Sequence, residues 1–247
     1  RSENARLNGW VYVDVSGRDI GSYVAEARKT VAESVELPAG YSMVWSGQYE
    51  YMQRAKERFI LVGPVMLVII MLLLFLNFRD IADVVIIMGT LPFALVGGLW
   101  LIYALGYNMS VAVAVGFIAL AGVAVEIGVL MIMYLKLELG AAELEAEREG
   151  RHLSEDDLRD AIGKGALRRL RPIAMTFVVI VAGLAPILYG SGTGAEVMRR
   201  IAAPMIGGMV SATILALMVI PAAYYLWRRR GLSAARKHGA GIVEETP

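Results

Sequence analysis

Cysteine is absent from all 247 residues, which excludes both disulfides and thiolate metal sites. Histidine is nearly absent too. His152 and His238 stand alone in polar segments, and each reads as a solvated surface residue. No excess of either charge exists: 24 Lys and Arg against 23 Asp and Glu leave a net charge of +1. That balance gives no electrostatic footprint for nucleic acid. Also missing are a nucleophile constellation, metal-hydrolase ligand spacing and a phosphate-cradling glycine loop, so enzymatic chemistry is not expected. No charged, apolar and cleavage regions of a signal peptide precede the first domain, and the chain starts at Arg1. It therefore reads as a piece of a longer polypeptide.

What the chain does have is apolar sequence, 57% of its residues, against about 45–50% in ordinary soluble domains. The excess is gathered into five runs. They cover 59–78, about 84–105, about 109–135, about 173–189 and about 201–227. Each can cross a hydrocarbon core of about 30 Å, which takes roughly 20 helical residues. Barrel strands would be about 10 residues with strict alternation, and these runs do not alternate. The predicted fold is a mainly α-helical polytopic membrane protein with five transmembrane helices and membrane lipid as its immediate surroundings.

Residues 1–57 read as an extracytoplasmic β-α-β fragment. GWVYVDV (9–15) and YSMVWSG (41–47) alternate like strands, and Ile20, Val24, Ala27, Val31 and Val35 keep a helical spacing between them. A unit of this size needs partner strands that these residues do not contain. Spans one to three then occupy 58–138. A loop over 139–171 contains an acidic linker (142–150) and an amphipathic helix lying at the membrane surface (153–172), capped by Ser154 with Asp157. Spans four and five occupy 172–228, and 229–247 reads as a disordered tail. Eight Lys and Arg fall in 136–171 and five more in 228–247, so those segments are placed in the cytoplasm and the N-terminal fragment outside.

One charge lies inside the third span. Glu126, in GVAVEIGV (122–129), sits near its midpoint. Facing lipid in ionised form it would cost about 2.5–3.5 kcal/mol. Ala112, Ala119 and Gly122 share its helical face, so a close helix neighbour is expected there and Glu126 is expected to face the bundle interior. A carboxyl in such surroundings is read as a proton carrier, with interhelical glue as the alternative. In the fifth span Gly207 with Ser211, and Gly208 with Ala212, mark tight packing, and Pro204 can open the helix there. Most of the 13 methionines read as core filler. Met198 differs, because it sits in a short polar loop where lipid packing does not explain it, and thioethers ligate soft ions.

Taken together, LNGWVYVDV, GYSMVWSGQYEY, GVAVEIGVLMIMYL, LRRLRPIAMT and GTGAEVMRRIAAPMIGGM resemble the C-terminal part of a resistance-nodulation-division (RND) efflux transporter. The heavy-metal branch fits best. That resemblance implies a ferredoxin-like porter subdomain for the N-terminal fragment and a proton relay through Glu126, Thr176 and Arg169. It implies a metal-path role for Met198, with Cu(I) or Ag(I) as the transported ion rather than a resident cofactor. The branch places a relay lysine where this chain has Ile173. Further implications are a homotrimer in a bacterial inner membrane, a periplasmic adaptor, an outer-membrane channel and an N-terminal half of the same polypeptide. Two other readings stand beside this one. The first is an RND pump for drugs or for Zn, Co or Cd; the second is a non-transporting membrane assembly module.

Overall fold

In the computed structural model the apolar runs become helices, three of which start at a side-chain cap. The structure describes residues 2–3, 6–15 and 18–243, with side chains for 8–15 and 18–232; the side chain of His238 and residues 244–247 lie outside. The chain divides into two compact units, 1–62 and 63–247.

In the first unit, β1 (Ser2–Glu3) pairs antiparallel with β2 (Arg6–Leu7) in the register Ser2↔Leu7. Helix α1 (Ile20–Ser34) starts at Asp19, whose carboxylate accepts from the Ser22 N–H at 2.8 Å. The strands expected at 9–15 and 41–47 do not form. Their apolar side chains stand uncovered, with Val11 90% and Val44 79% exposed. The reason is physical: a strand is a hydrogen-bonding partnership, and no described residue offers these segments a ladder.

Five helices are long and apolar enough to cross a membrane: α2 (Gln48–Phe78), α3 (Ile81–Ala104), α4 (Val111–Arg148), α5 (Glu155–Tyr189), and α6 (Ala195–Ile214) continued through 215–232. Asp80 caps α3 by accepting from Ala82, and Ser110 caps α4 by accepting from Val113. Between α2 and α3 the chain turns on Arg79, a non-glycine residue at φ +52°. After α6 comes one wide π turn, Leu215–Val219, and then α7 (Ile220–Val243). Apart from Pro204, the packing marks expected in the fifth span hold. A Cβ on Gly207 would meet the Gly97 carbonyl at 2.4 Å, and Ser211 Oγ donates to the Ala94 carbonyl at 2.8 Å. Pro204 does not open the helix. It lies within regular α6, wedged against Gly98 and Gly116, and the irregular turn is displaced to 215–219.

Two further expectations are corrected beyond the third span. Residues 142–148 are not a linker but the last turns of α4. The amphipathic segment does not lie apart at a surface; it is the first half of α5, which runs unbroken through Pro172 into the fourth span. Its apolar edge is used on α4 instead. Leu158 and Ile162 are buried with Leu135 and Leu139, and a Cβ on Gly165 would stand 3.1 Å from Leu135 Cα. Helix α7 itself runs to Val243.

The capping box at the start of α5 forms as read. Ser154 Oγ accepts from the Asp157 N–H at 3.0 Å, and Asp157 accepts from the Ser154 N–H at 3.0 Å. The Arg151 guanidinium, then the Ser154 N–H and hydroxyl, hold the Asp157 carboxyl below the usual carboxylate range. Its contribution is complete above the unfolded value near pH 4 and is lost only as pH falls below that. Ser154→Ala is expected to weaken this helix start by about 1 kcal/mol, read as roughly fivefold faster amide exchange over 155–158.

Candidate functional site

The face of α4 that packs in this chain carries Val113, Gly116, Leu120, Ala124, Ile127, Gly128, Met131, Ile132 and Leu135, all buried. At 100° per residue, Val115, Ile118, Gly122, Glu126, Met133 and Leu137 fall on the opposite stripe, and every one of them is exposed. Glu126 therefore looks outward from the five helices, in the middle of an apolar stripe, and the expectation of an interior carboxylate is corrected for this bundle. The close helix contact is made by a different set of small residues. A Cβ on Gly116 would meet the Ile201 carbonyl at 2.4 Å, whereas one on Gly122 would meet nothing within 4 Å. No described residue hydrogen-bonds or ion-pairs with Glu126.

Arg169 and Thr176 stand seven residues apart on one stripe of α5. Thr176 is exposed, and its hydroxyl donates back to the Pro172 carbonyl at 3.1 Å. Arg169 lies with its guanidinium 5.1 Å above the ring of Tyr134, and its Nε is buried without a hydrogen-bond partner. The contact of Gly165 on Leu135 fixes the antiparallel register of α5 on α4, and this carries Thr176 to within about one turn of the depth of Glu126. Ile173 belongs to the core, 2% exposed.

Met198 is half exposed in the first turn of α6. The loop before it is fastened from both sides. Arg199 Nε donates to the Gly190 carbonyl at 2.9 Å, and Arg200 pairs with Glu196 while lying 5.7 Å over the ring of Tyr107. Helices α4 and α6 run the same way, with Gly116 against Ile201. Met198 is thus roughly 20 Å nearer the 190–194 end than Glu126, and the structure does not bring the two together. Among the described residues no three His, Asp or Glu side chains converge as a metal site.

At the other end of the bundle lies a feature that sequence reading missed. Asp83, in the first turn of α3, is fully buried and pairs with Lys136 of α4. The same ammonium reaches the Phe78 carbonyl at 3.5 Å and lies 5.3 Å from the Phe78 ring. Glu138 pairs with Arg168 nearby. Asp83 looks like a mere boundary charge before the second span. The available signal was a single lysine just beyond the third span, able to reach back to it.

The profile of the AcrB/AcrD/AcrF family matches residues 2–228. The cation efflux system protein CusA of Escherichia coli strain K12 is 48% identical over 231 residues, covering 93% of this chain and 22% of that protein. The cobalt-zinc-cadmium resistance protein CzcA of Cupriavidus metallidurans is 41% identical over 228 residues, covering 92% of this chain and 20% of that protein. A crystal structure of a heavy metal efflux pump superposes with a TM-score of 0.68 at 34% identity, over 85% of this chain and 20% of that one. The chain thus spans about a fifth of the length of the curated relatives it matches.

Proposed function

This chain belongs to the AcrB/AcrD/AcrF family, and we propose that it is the C-terminal membrane part of a proton-driven exporter of soft metal cations, Cu(I) or Ag(I). The observation that carries the reading is Glu126, a lone carboxylate at mid-span on an outward apolar stripe with no partner among the described residues. Ionised against lipid it would cost about 2.5–3.5 kcal/mol, so in the working protein that stripe is covered by a second helical bundle with its own polar groups. Glu126 exchanges protons at that seam. Thr176 and Arg169, on one stripe of the neighbouring helix, complete the relay. Helix movements there pass to the extracytoplasmic part of the pump.

CusA and CzcA, matched at 48% and 41% identity, support a metal cargo. Met198 favours the softer ions, because a thioether binds Cu(I) and Ag(I) far better than Zn(II). The whole protein is placed in a bacterial inner membrane, with residues 1–57 in the periplasm and the tail in the cytoplasm. It works as a homotrimer with a periplasmic adaptor and an outer-membrane channel. The segment boundaries follow the helices, with spans at α2 to α6 and the α4–α5 extension in the cytoplasm.

The test uses the whole pump in proteoliposomes with an internal pH dye. Ag(I) is expected to drive proton flux, and Zn(II) to drive about tenfold less. Met198→Leu keeps the volume and removes the ligand, and it is expected to cut Ag(I)-driven flux by about tenfold. Proton flux driven by organic compounds and indifferent to Ag(I) would replace this reading with a drug pump.

A further inference from the structure

Beyond the relay stripe, the bundle has a half-open cavity of about 370 Å³ where the α4–α5 extension meets α7. Its walls are Leu139, Leu158, Trp227 and Leu232, and its two charged residues are Glu143 and Arg228. Leu139 and Leu158 are buried, Trp227 and Arg228 half-buried, and Glu143 exposed. The depth is informative. The apolar run of α4 ends near Leu135, and Glu143 stands two turns further on, about 12 Å along the axis. The apolar run of the fifth span likewise ends at Trp227, followed by three arginines. An aromatic residue next to basic ones marks the headgroup layer of a bilayer.

Neither charge in this cavity is held in a direct ion pair among the described residues. Of the consecutive arginines, Arg229 is committed to Glu155 at 2.7 Å, with Tyr225 donating to the same carboxylate at 2.8 Å. Those contacts clamp α7 to the start of α5 and hold the cavity's shape. Arg228 has no carboxylate ion-pair partner among the described residues; besides the cavity it faces the Tyr224 side chain, 6.0 Å from that ring's centre. Its guanidinium lies 5.3 Å over the Trp227 ring, and its Nε is buried without a hydrogen-bond partner. Glu143 lines the same space but no direct ion pair joins the two. One half-buried cation, one exposed anion at the mouth and leucine walls together describe an amphiphile carrying both charges.

We propose that this cavity binds a phosphatidylethanolamine-type phospholipid, its phosphate on Arg228, its ammonium on Glu143 and one acyl chain along the leucines. A phosphatidylglycerol would meet Glu143 with no cation to offset it, and a phosphatidylcholine would bring an ammonium with no N–H to donate.

The experiment is native mass spectrometry of the whole delipidated pump, titrated with palmitoyl-oleoyl phosphatidylethanolamine, phosphatidylglycerol or phosphatidylcholine. Phosphatidylethanolamine is expected to bind about tenfold more tightly than either of the others, the difference one charged hydrogen bond makes. Glu143→Gln is expected to erase its advantage over phosphatidylglycerol. Arg228→Gln is expected to weaken all three lipids, and Arg228→Lys to restore most of the binding. Equal binding of the three lipids by the parent pump overturns the proposal, as does a preference for phosphatidylglycerol. Position 143 is exposed and tolerant, so an unchanged lipid ratio in Glu143→Gln overturns it even if Arg228→Gln does not fold.

Discussion

Lys136→Met is expected to destabilise the bundle by about 3–5 kcal/mol, because it strands a fully buried carboxylate. Asp83 is 0% exposed and its ion-pair partner is Lys136. Removing the ammonium also strips the Phe78 carbonyl of a donor at the turn where Arg79 holds a positive φ. The reverse change is expected to be milder. Asp83→Leu leaves a lysine whose side chain is 30% exposed, and that ammonium can swing to water at a cost of about 1–2 kcal/mol. Replacing both, Asp83→Leu with Lys136→Met, puts apolar volume where the pair was and is expected to recover to within about 1 kcal/mol of the parent. Thermal aggregation midpoints of the purified whole pump read all three. The ordering is the test: equal losses from the two single variants, or a double variant as poor as Lys136→Met, would remove the buried pair as the clamp of this turn.

That pair also shows why part of the molecule could be read in advance and part could not. The five spans were legible because 20 apolar residues in a row have few other destinations. The Ser154–Asp157 box was legible because a cap and its partner lie three residues apart. Features set by distant partners were not. Asp83 and Lys136 belong to different helices, and nothing local links them. The strands at 9–15 and 41–47 alternate correctly, yet alternation supplies a face and not a ladder.

The outward turn of Glu126 escaped for a related reason. Small residues lie on both sides of α4: Ala112, Ala119 and Gly122 on one, Gly116, Ala124 and Gly128 on the other. Periodicity finds both stripes, and only the partner helix decides between them. Here α6 chose Gly116. The acidic stretch 142–148 misled differently. AELEAER is polar enough to look like a linker, but Ala, Glu, Leu and Arg are all strong helix formers. With Ala146 and Leu139 buried on its α5 side, it had both the propensity and a packing partner to continue α4.

The largest functional effect is expected from Glu126→Gln. In cells dependent on the whole pump, silver and copper tolerance should fall to the level of cells without it, while the purified variant still binds Ag(I) as the parent does. The exchange keeps the shape and one carbonyl oxygen and replaces the ionisable oxygen by an amide nitrogen that does not titrate. That makes it a clean separation of two roles. If Glu126 merely joins helices across the open stripe, a neutral amide serves as well, and it spares the cost of about 2.5–3.5 kcal/mol for a charge at that depth. Assembly and tolerance would then be kept or improved. If it carries protons, an amide with no accessible ionisation stops the cycle, and no amount of retained packing restores it. Glu126→Asp should show partial recovery, since a shorter carboxyl still titrates but reaches its partner poorly. Full tolerance in Glu126→Gln at ordinary expression would decide for the joining role. Proton flux measured alongside would then have to run through another group, and no second acid lies at mid-span in these five helices among the described residues.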